Sequence, residues 1–297
     1  MSEHTNRGFE GRKAALTRVE TAARRIGREA IDAYPRLRSP MLRAWGAYVF
    51  AYGTIRACAA APAGGRGVGI APFKLVAVDP DRIEFLVEPD AYPDQTREGA
   101  TFPPPKFKHA GRVVGGDWDA LDRRFENTEL YRGFEAHFVA GRPWSETRFY
   151  RTVVDYVEDG HVLWGCTSAP DVARRCRFLD ELYESLATHG YRRQAELAAG
   201  SLDAPGPTSP SRVLGVVNGE IAVAVGRDGD LLFVDGRNRL AMAKLLDLDA
   251  VTVWIMARHE GWQRRRDRLA ADPEAARASP LRSHPDLRGV VDGDPKG

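Results

Sequence analysis

The sequence predicts an α+β fold, a mixed sheet with helices packed on it, and three observations carry that expectation. Ile221 to Val225 and Leu231 to Val234 are short apolar runs joined through Arg227-Asp228-Gly229-Asp230, whose Asp-Gly pair favours a tight hairpin turn. A helix rich in alanine follows at once, from Asn238 to Leu246. Val251 to Met256 then reads as a strong buried strand, and Phe73 to Val78 alternates like another.

The rest of the chain is less legible. Residues 1–10 are polar. From Arg12 to Ala33, the residues Leu16, Val19, Ala23, Ile26 and Ala30 recur at three- and four-residue steps, which fits an amphipathic helix with a basic outer face. Ala44 to Ile55 is a run of twelve uncharged residues, too short to span a bilayer. A buried helix is expected there, with a membrane-surface helix as the alternative. Gly and Pro cluster between Ala59 and Gly69, the first boundary. Ile83 to Val87 is a candidate return strand, and residues 89–107 read as a proline-rich surface segment. Helices are expected from Glu146 to Val157 and from Ala173 to Ala187. Ser201 to Ser211, with three prolines, reads as a linker, and residues 264–297 as a short helix with a frayed tail. No internal repeat stands out. The chain thus divides into a basic helical extension (1–70), a main domain (71–262) and a charged C-terminal helix and tail (263–297).

Composition narrows the function. The 297 residues are 43% hydrophobic and 28% charged, with a net charge of +2, which is ordinary for a globular protein and argues against a dedicated nucleic-acid coat. The charge is uneven, because Arg12 to Arg43 holds nine Lys/Arg against three Asp/Glu. Such a segment suits DNA phosphates or an anionic membrane surface. Cys58, Cys166 and Cys176 show no CxxC spacing, so reduced thiols and a cytoplasmic location are expected, with peripheral membrane contact as the variant.

The best candidate site is the turn Asp235-Gly236-Arg237-Asn238-Arg239, between an apolar strand and a helix. Gly236 permits a backbone conformation that a side chain would obstruct. Two readings stand. Asp235 or Asn238 caps the helix while the arginines pair with Asp235 or Glu220; or helix-end N–H groups, with Arg237 or Arg239, hold a phosphate, whose oxygens the planar guanidinium matches.

The order strand, Asp-Gly hairpin, strand, DGRNRLAMAK helix, Leu-Asp-Leu-Asp turn, apolar strand and Arg258-His259 resembles the ParB/sulfiredoxin-like superfamily. The resemblance covers Ala222 to Trp262, and Phe73 to Val78 would supply the opening strand, which makes the helical stretch near 120–200 an insertion in a ParB/sulfiredoxin-like domain over 71–262. It implies a ParB/sulfiredoxin-like mixed sheet in which a G-x-[HR]-R turn contacts nucleotide phosphates. Gly236 matches the family glycine and Arg239 the arginine. Asn238 departs from the family's His or Arg, keeping hydrogen-bonding capacity but no cation. The implied ligand is ATP, ADP or CTP.

Gly115-Gly116-Asp117-Trp118-Asp119 is the second candidate. Asp117 and Asp119 would bind Mg²⁺ or act as a general base, or else begin a helix. His137 reads as a packed histidine or a catalytic one, and His259 as a site residue or a strand-end polar group. Arg264-Arg265-Arg266 reads as a solvated helix face. Together these expectations describe nucleotide binding, with Mg²⁺-dependent phosphoryl transfer or nucleotide hydrolysis as the enzymatic form. The alternatives are a non-catalytic regulatory or DNA/membrane-surface binding module, and a nuclease. The combined site requires Asp117 and Asp119 within about 8–10 Å of the 236–239 turn.

Overall fold

The computed structural model describes residues 34, 36, 38–59, 68–87, 100–120, 122–192 and 210–288. The expected basic helix from Arg12 to Ala33, most of the proline-rich segment, nearly all of the linker and the last nine residues lie outside the described residues. Eight α-helices and five strands make up the described part: α1 (Arg38–Ala59), β1 (Leu75–Val78), β2 (Arg112–Val114), α2 (Glu129–Phe134), α3 (Arg148–Glu158), α4 (Ala169–His189), α5 (Pro210–Gly219), β3 (Ile221–Val225), β4 (Leu231–Asp235), α6 (Arg237–Leu245), β5 (Val251–His259), α7 (Glu260–Ala271) and α8 (Pro273–Ala278).

The sheet is mixed, in the order β1-β5-β3-β4. β3 and β4 form the expected antiparallel hairpin, and β3 runs parallel to β5. The other edge of β5 is shared: β1 pairs antiparallel with Val251 to Trp254, and β2 pairs parallel with Ala257 to His259. β5 is therefore the spine, and eight of its nine residues are buried. It runs three residues past the expected end at Met256, through Arg258 and His259, because both polar side chains find partners inside the fold.

Strand alternation divides the core between two faces. Val223, Val225, Leu231, Phe233, Val253 and Ile255 meet Leu130, Phe134, Phe149, Leu179 and Leu240 from α2, α3, α4 and α6. Ala222, Ala224, Leu232, Val234, Trp254 and Met256 face the other way, onto Val216 of α5 and Phe102. Beyond them Val49 of α1 packs with Phe107 and Val213. α1 thus joins the body of the protein through its buried positions Gly46, Val49, Gly53 and Ala57.

Several boundaries differ from expectation. Residues 83–87 form no regular strand: Phe85 and Leu86 make single bridges, to Arg124 and Phe233. α3 begins two residues late because Thr147 caps it, accepting from Tyr150 N–H. α4 begins four residues early, with a proline in its first turn, where the missing N–H costs nothing. The C-terminal segment is not frayed as far as it is described, since Pro285, Asp286 and Leu287 are buried against the sheet end.

Candidate functional site

β4 ends at Asp235, and Gly236 turns the chain into α6 with φ at +91°. A Cβ on Gly236 would lie 2.9 Å from the Ile221 Cα and 3.4 Å from the Glu220 carbonyl oxygen. Glycine is therefore required twice, by the left-handed backbone and by the neighbouring strand. Neither Asp235 nor Asn238 caps α6, contrary to the first reading of the turn. Asp235 Oδ1 instead accepts from the Gly236 N–H at 2.9 Å, and the Asn238 Oδ1 is buried without a hydrogen-bond partner. Nothing within α6 can accept from the N–H groups of Asn238 and Arg239.

Arg239 faces a cavity of about 740 Å³ between the start of α1 and the end of α5. Arg36, Arg38 and Arg43 line it from one side, Asn218 and Gly219 from another, and none of the described lining residues is acidic. Glu220, next along the chain, is buried and accepts a hydrogen bond from the Tyr191 hydroxyl at 2.8 Å. Burial first, and then the Glu220 charge, push that phenol above its usual range.

Asp117 and Asp119 lie elsewhere. They close around Arg227 in the β3–β4 hairpin: Arg227 Nη2 donates to Asp119 Oδ1 at 2.7 Å and to Asp117 Oδ1 at 2.8 Å, while its backbone N–H donates to Asp119 Oδ2 at 2.6 Å. Burial works against the Asp119 charge, but the hydrogen bonds from Arg227 and the nearby His259 outweigh it and hold the carboxyl below its ordinary range. Both carboxylates are thus committed to a guanidinium. Among the described residues no three His, Cys, Asp or Glu side chains gather in a way that could hold a metal ion. A Mg²⁺ or general-base role for Asp117 and Asp119 would require their pairing with Arg227 to open.

The two candidate segments also sit at opposite ends of the hairpin. Asp235 pairs with Ala222, whereas Arg227 follows the pair Val225–Leu231 at the far end. Four strand residues separate the ends by about 13 Å, beyond the reach a shared phosphate site requires.

His259 begins α7, its Nδ1 accepting from the Gly261 N–H and its Nε2 donating to the Gly116 carbonyl, each at 2.9 Å. It is a cap that ties α7 to the Gly116 turn. His137 lies on a wide π-helical turn that continues α2 from Glu135 to Val139. Its ring stacks on Trp144 at 4.0 Å, and its nitrogens meet the Arg142 carbonyl at 2.7 Å and Asp180 Oδ1 at 3.1 Å. Both ring nitrogens are engaged, so His137 fixes the 140–144 turn onto α4. The arginine run is split: Arg264 pairs with Glu260 and Arg265 with Asp228, but Arg266 is buried rather than solvated. Sequence reasoning missed Arg227, and it read Arg36 to Arg43 as part of a basic segment suited to DNA or membrane phosphates without joining it to the Gly236 turn, because no local signal marks pairings between residues so far apart.

No protein-family model, curated protein or solved structure matches this chain. No helix among the described residues is long and apolar enough to cross a membrane.

Proposed function

We propose that the protein binds a nucleotide through its phosphates in the cavity beside the Gly236 turn. One observation carries this reading: among the described residues, four arginines and no carboxylate line a space of about 740 Å³, and one of them, Arg239, comes from the turn itself. Guanidinium groups match phosphate oxygens in pairs. The ParB/sulfiredoxin-like assignment is part of the same proposal. It is supported by the order β3, Asp-Gly hairpin, β4, Gly-Arg turn, α6 and β5. Phosphoryl transfer, nucleotide hydrolysis or nuclease action with Mg²⁺ on Asp117 and Asp119 is a separate proposal, which requires Arg227 to release both carboxylates. Calorimetry with ATP, ADP and CTP, each with Mg²⁺, tests the binding reading. Micromolar to millimolar binding that weakens about tenfold or more in Arg239→Ala is expected, from the loss of one charge-assisted contact. Equal affinity in the variant, or no binding by the native chain, sinks it.

A second reading, a binding module that meets DNA or an anionic membrane surface, is favoured by the outer side of α1. Ala44, Ala47, Ala51, Ile55 and Cys58 are exposed there, and the helix carries Arg38, Arg43 and Arg56 with no acidic residue. It predicts salt-sensitive sedimentation with anionic vesicles that Ile55→Glu abolishes, or salt-sensitive duplex binding that it leaves intact. Absence of both removes this reading.

A further inference from the structure

A second cationic cluster lies at the C-terminal end of β5, away from the Arg239 cavity. Arg258 of β5, Arg266 of α7 and Asp286 of the last described turn are 0%, 2% and 0% exposed at their side chains. Asp286 is fully used. Its Oδ1 takes Arg258 Nη2 at 2.6 Å, and its Oδ2 takes Arg258 Nε and Trp262 Nε1, each at 2.8 Å. Lys74 Nζ stands 3.6 Å from Oδ1, and Arg266 Nε 3.3 Å from Oδ2.

Two buried arginines therefore share one buried carboxylate with the partly exposed Lys74, whose Nζ also donates to the Asp286 and Arg288 carbonyls. The next acid, Asp267, is taken by the Val68 N–H and by Gln263 Nε2. Counting it as well still leaves one positive charge without a counterpart among the described residues. Two buried donors make no hydrogen bond, Arg258 Nη1 and Arg266 Nε; the second stays ion-paired to Asp286, and Arg266 Nη1 donates to Gln263 Oε1 at 2.7 Å, so Arg258 Nη1 marks where the deficit falls. Arg258 spends its Nε/Nη2 edge on Asp286, so Nη1 is the donor that remains.

A water molecule can satisfy an N–H, but it leaves the charge uncompensated, and an unpaired charge in the interior is strongly destabilising. We infer that a small monovalent anion of the halide class binds between Arg258 and Arg266 and completes the cluster around Asp286. Burial, and then repulsion from Arg258, lower the Arg266 guanidinium to about 10, and burial lowers the Lys74 amine. The anion would pin the 285–287 turn over the ends of β5 and α7, making the closure of this end of the sheet depend on it.

Native crystals soaked in bromide and measured at the bromine absorption edge test the inference directly. The expected result is an anomalous peak within hydrogen-bond distance of Arg258 Nη1. A water molecule there with no anomalous signal overturns it. In solution, thermal unfolding of the full chain is followed at constant ionic strength while chloride replaces a bulky organic anion. A saturable rise of about 2–4 °C is expected, and Arg266→Met, which keeps the volume but removes the surplus charge, should lose it. An equal chloride response in both proteins, or none in the native chain, also overturns the inference.

Discussion

At Gly236 a single residue decides whether the turn can exist. Its φ of +91° costs about 1–3 kcal/mol for any other residue, and the added Cβ would press on the Ile221 backbone at 2.9 Å, which has little freedom to move. Gly116 has almost the same φ, +90°, but open space around it. Gly236→Ala should therefore lower stability by at least about 1 kcal/mol more than Gly116→Ala, from the clash that only the first creates. Urea denaturation of the two variants checks this; equal losses would show that the close approach is relieved cheaply. His109 offers a residue-scale test of pH. Its Nε2 meets the Pro103 carbonyl at 2.7 Å and its Nδ1 meets Arg112 Nη1 at 3.1 Å, a pairing that suits the neutral ring. Burial lowers the imidazole from 6.5 to about 4. The folded value lies below the unfolded one, so the contribution is complete above pH 6.5 and is lost as pH falls towards 4. The full loss is on the order of 3 kcal/mol. His109→Gln, which has no proton to take up, should be less stable than the native chain at pH 7 and close much of that gap by pH 4.5. A gap that stays constant across that range would refute it.

Among the elements, α2 and α3 begin in the same way. Thr128 Oγ1 donates to the Phe125 carbonyl at 2.8 Å and accepts from the Tyr131 N–H at 3.2 Å; Thr147 Oγ1 donates to the Trp144 carbonyl at 2.7 Å and accepts from the Tyr150 N–H at 3.1 Å. Both hydroxyls are buried, and an aromatic residue stands three positions before each and a Tyr-Arg pair three after. The start of α2 thus recurs at α3, although the sequence reads as free of repeats. Only Thr, Tyr and Arg coincide between the two ten-residue stretches, too little to register without knowing that each threonine is a cap. Thr128→Val and Thr147→Val keep the shape and remove the cap, and each should cost about 1 kcal/mol. Two similar losses in denaturant titrations support equivalent roles, whereas a negligible loss at either site breaks the equivalence. The β3–β4 hairpin, α6 and most of β5 are legible from sequence because their signals are local: alternation, an Asp-Gly pair and an alanine-rich period. The last three residues of β5 are not, because Arg258 and His259 look like a strand's polar end until Asp286 and Gly116 supply their partners.

Across the whole molecule, the β3–β4 hairpin separates two polar centres that the sequence invites a reader to join. Gly236 and Arg239 stand at one end of it, and Arg227 with Asp117 and Asp119 at the other. Each half is readable by itself: the turn from its glycine and arginines, the carboxylates from their spacing. Their separation is not, because it depends on which end of an antiparallel pair each loop occupies and on an arginine that recruits both carboxylates across more than a hundred residues of chain. This geometry makes the two centres energetically independent. Asp119→Asn should lower stability, since the Asp119 side chain is only 3% exposed and balances Arg227. The same pairing predicts that the difference between Asp119→Asn and the native chain shrinks as pH falls below the usual carboxylate range, where the depressed native carboxyl finally takes up its proton. Nucleotide affinity should be untouched by Asp119→Asn and reduced by Arg239→Ala, with the double variant behaving as the sum of the two. Sites this far apart with no shared partner couple by less than about 0.5 kcal/mol. Calorimetric titration of the four proteins measures that coupling. A value near zero places the phosphate site at the Gly236 end alone, whereas 1 kcal/mol or more would mean that the carboxylates leave Arg227 and reach the ligand.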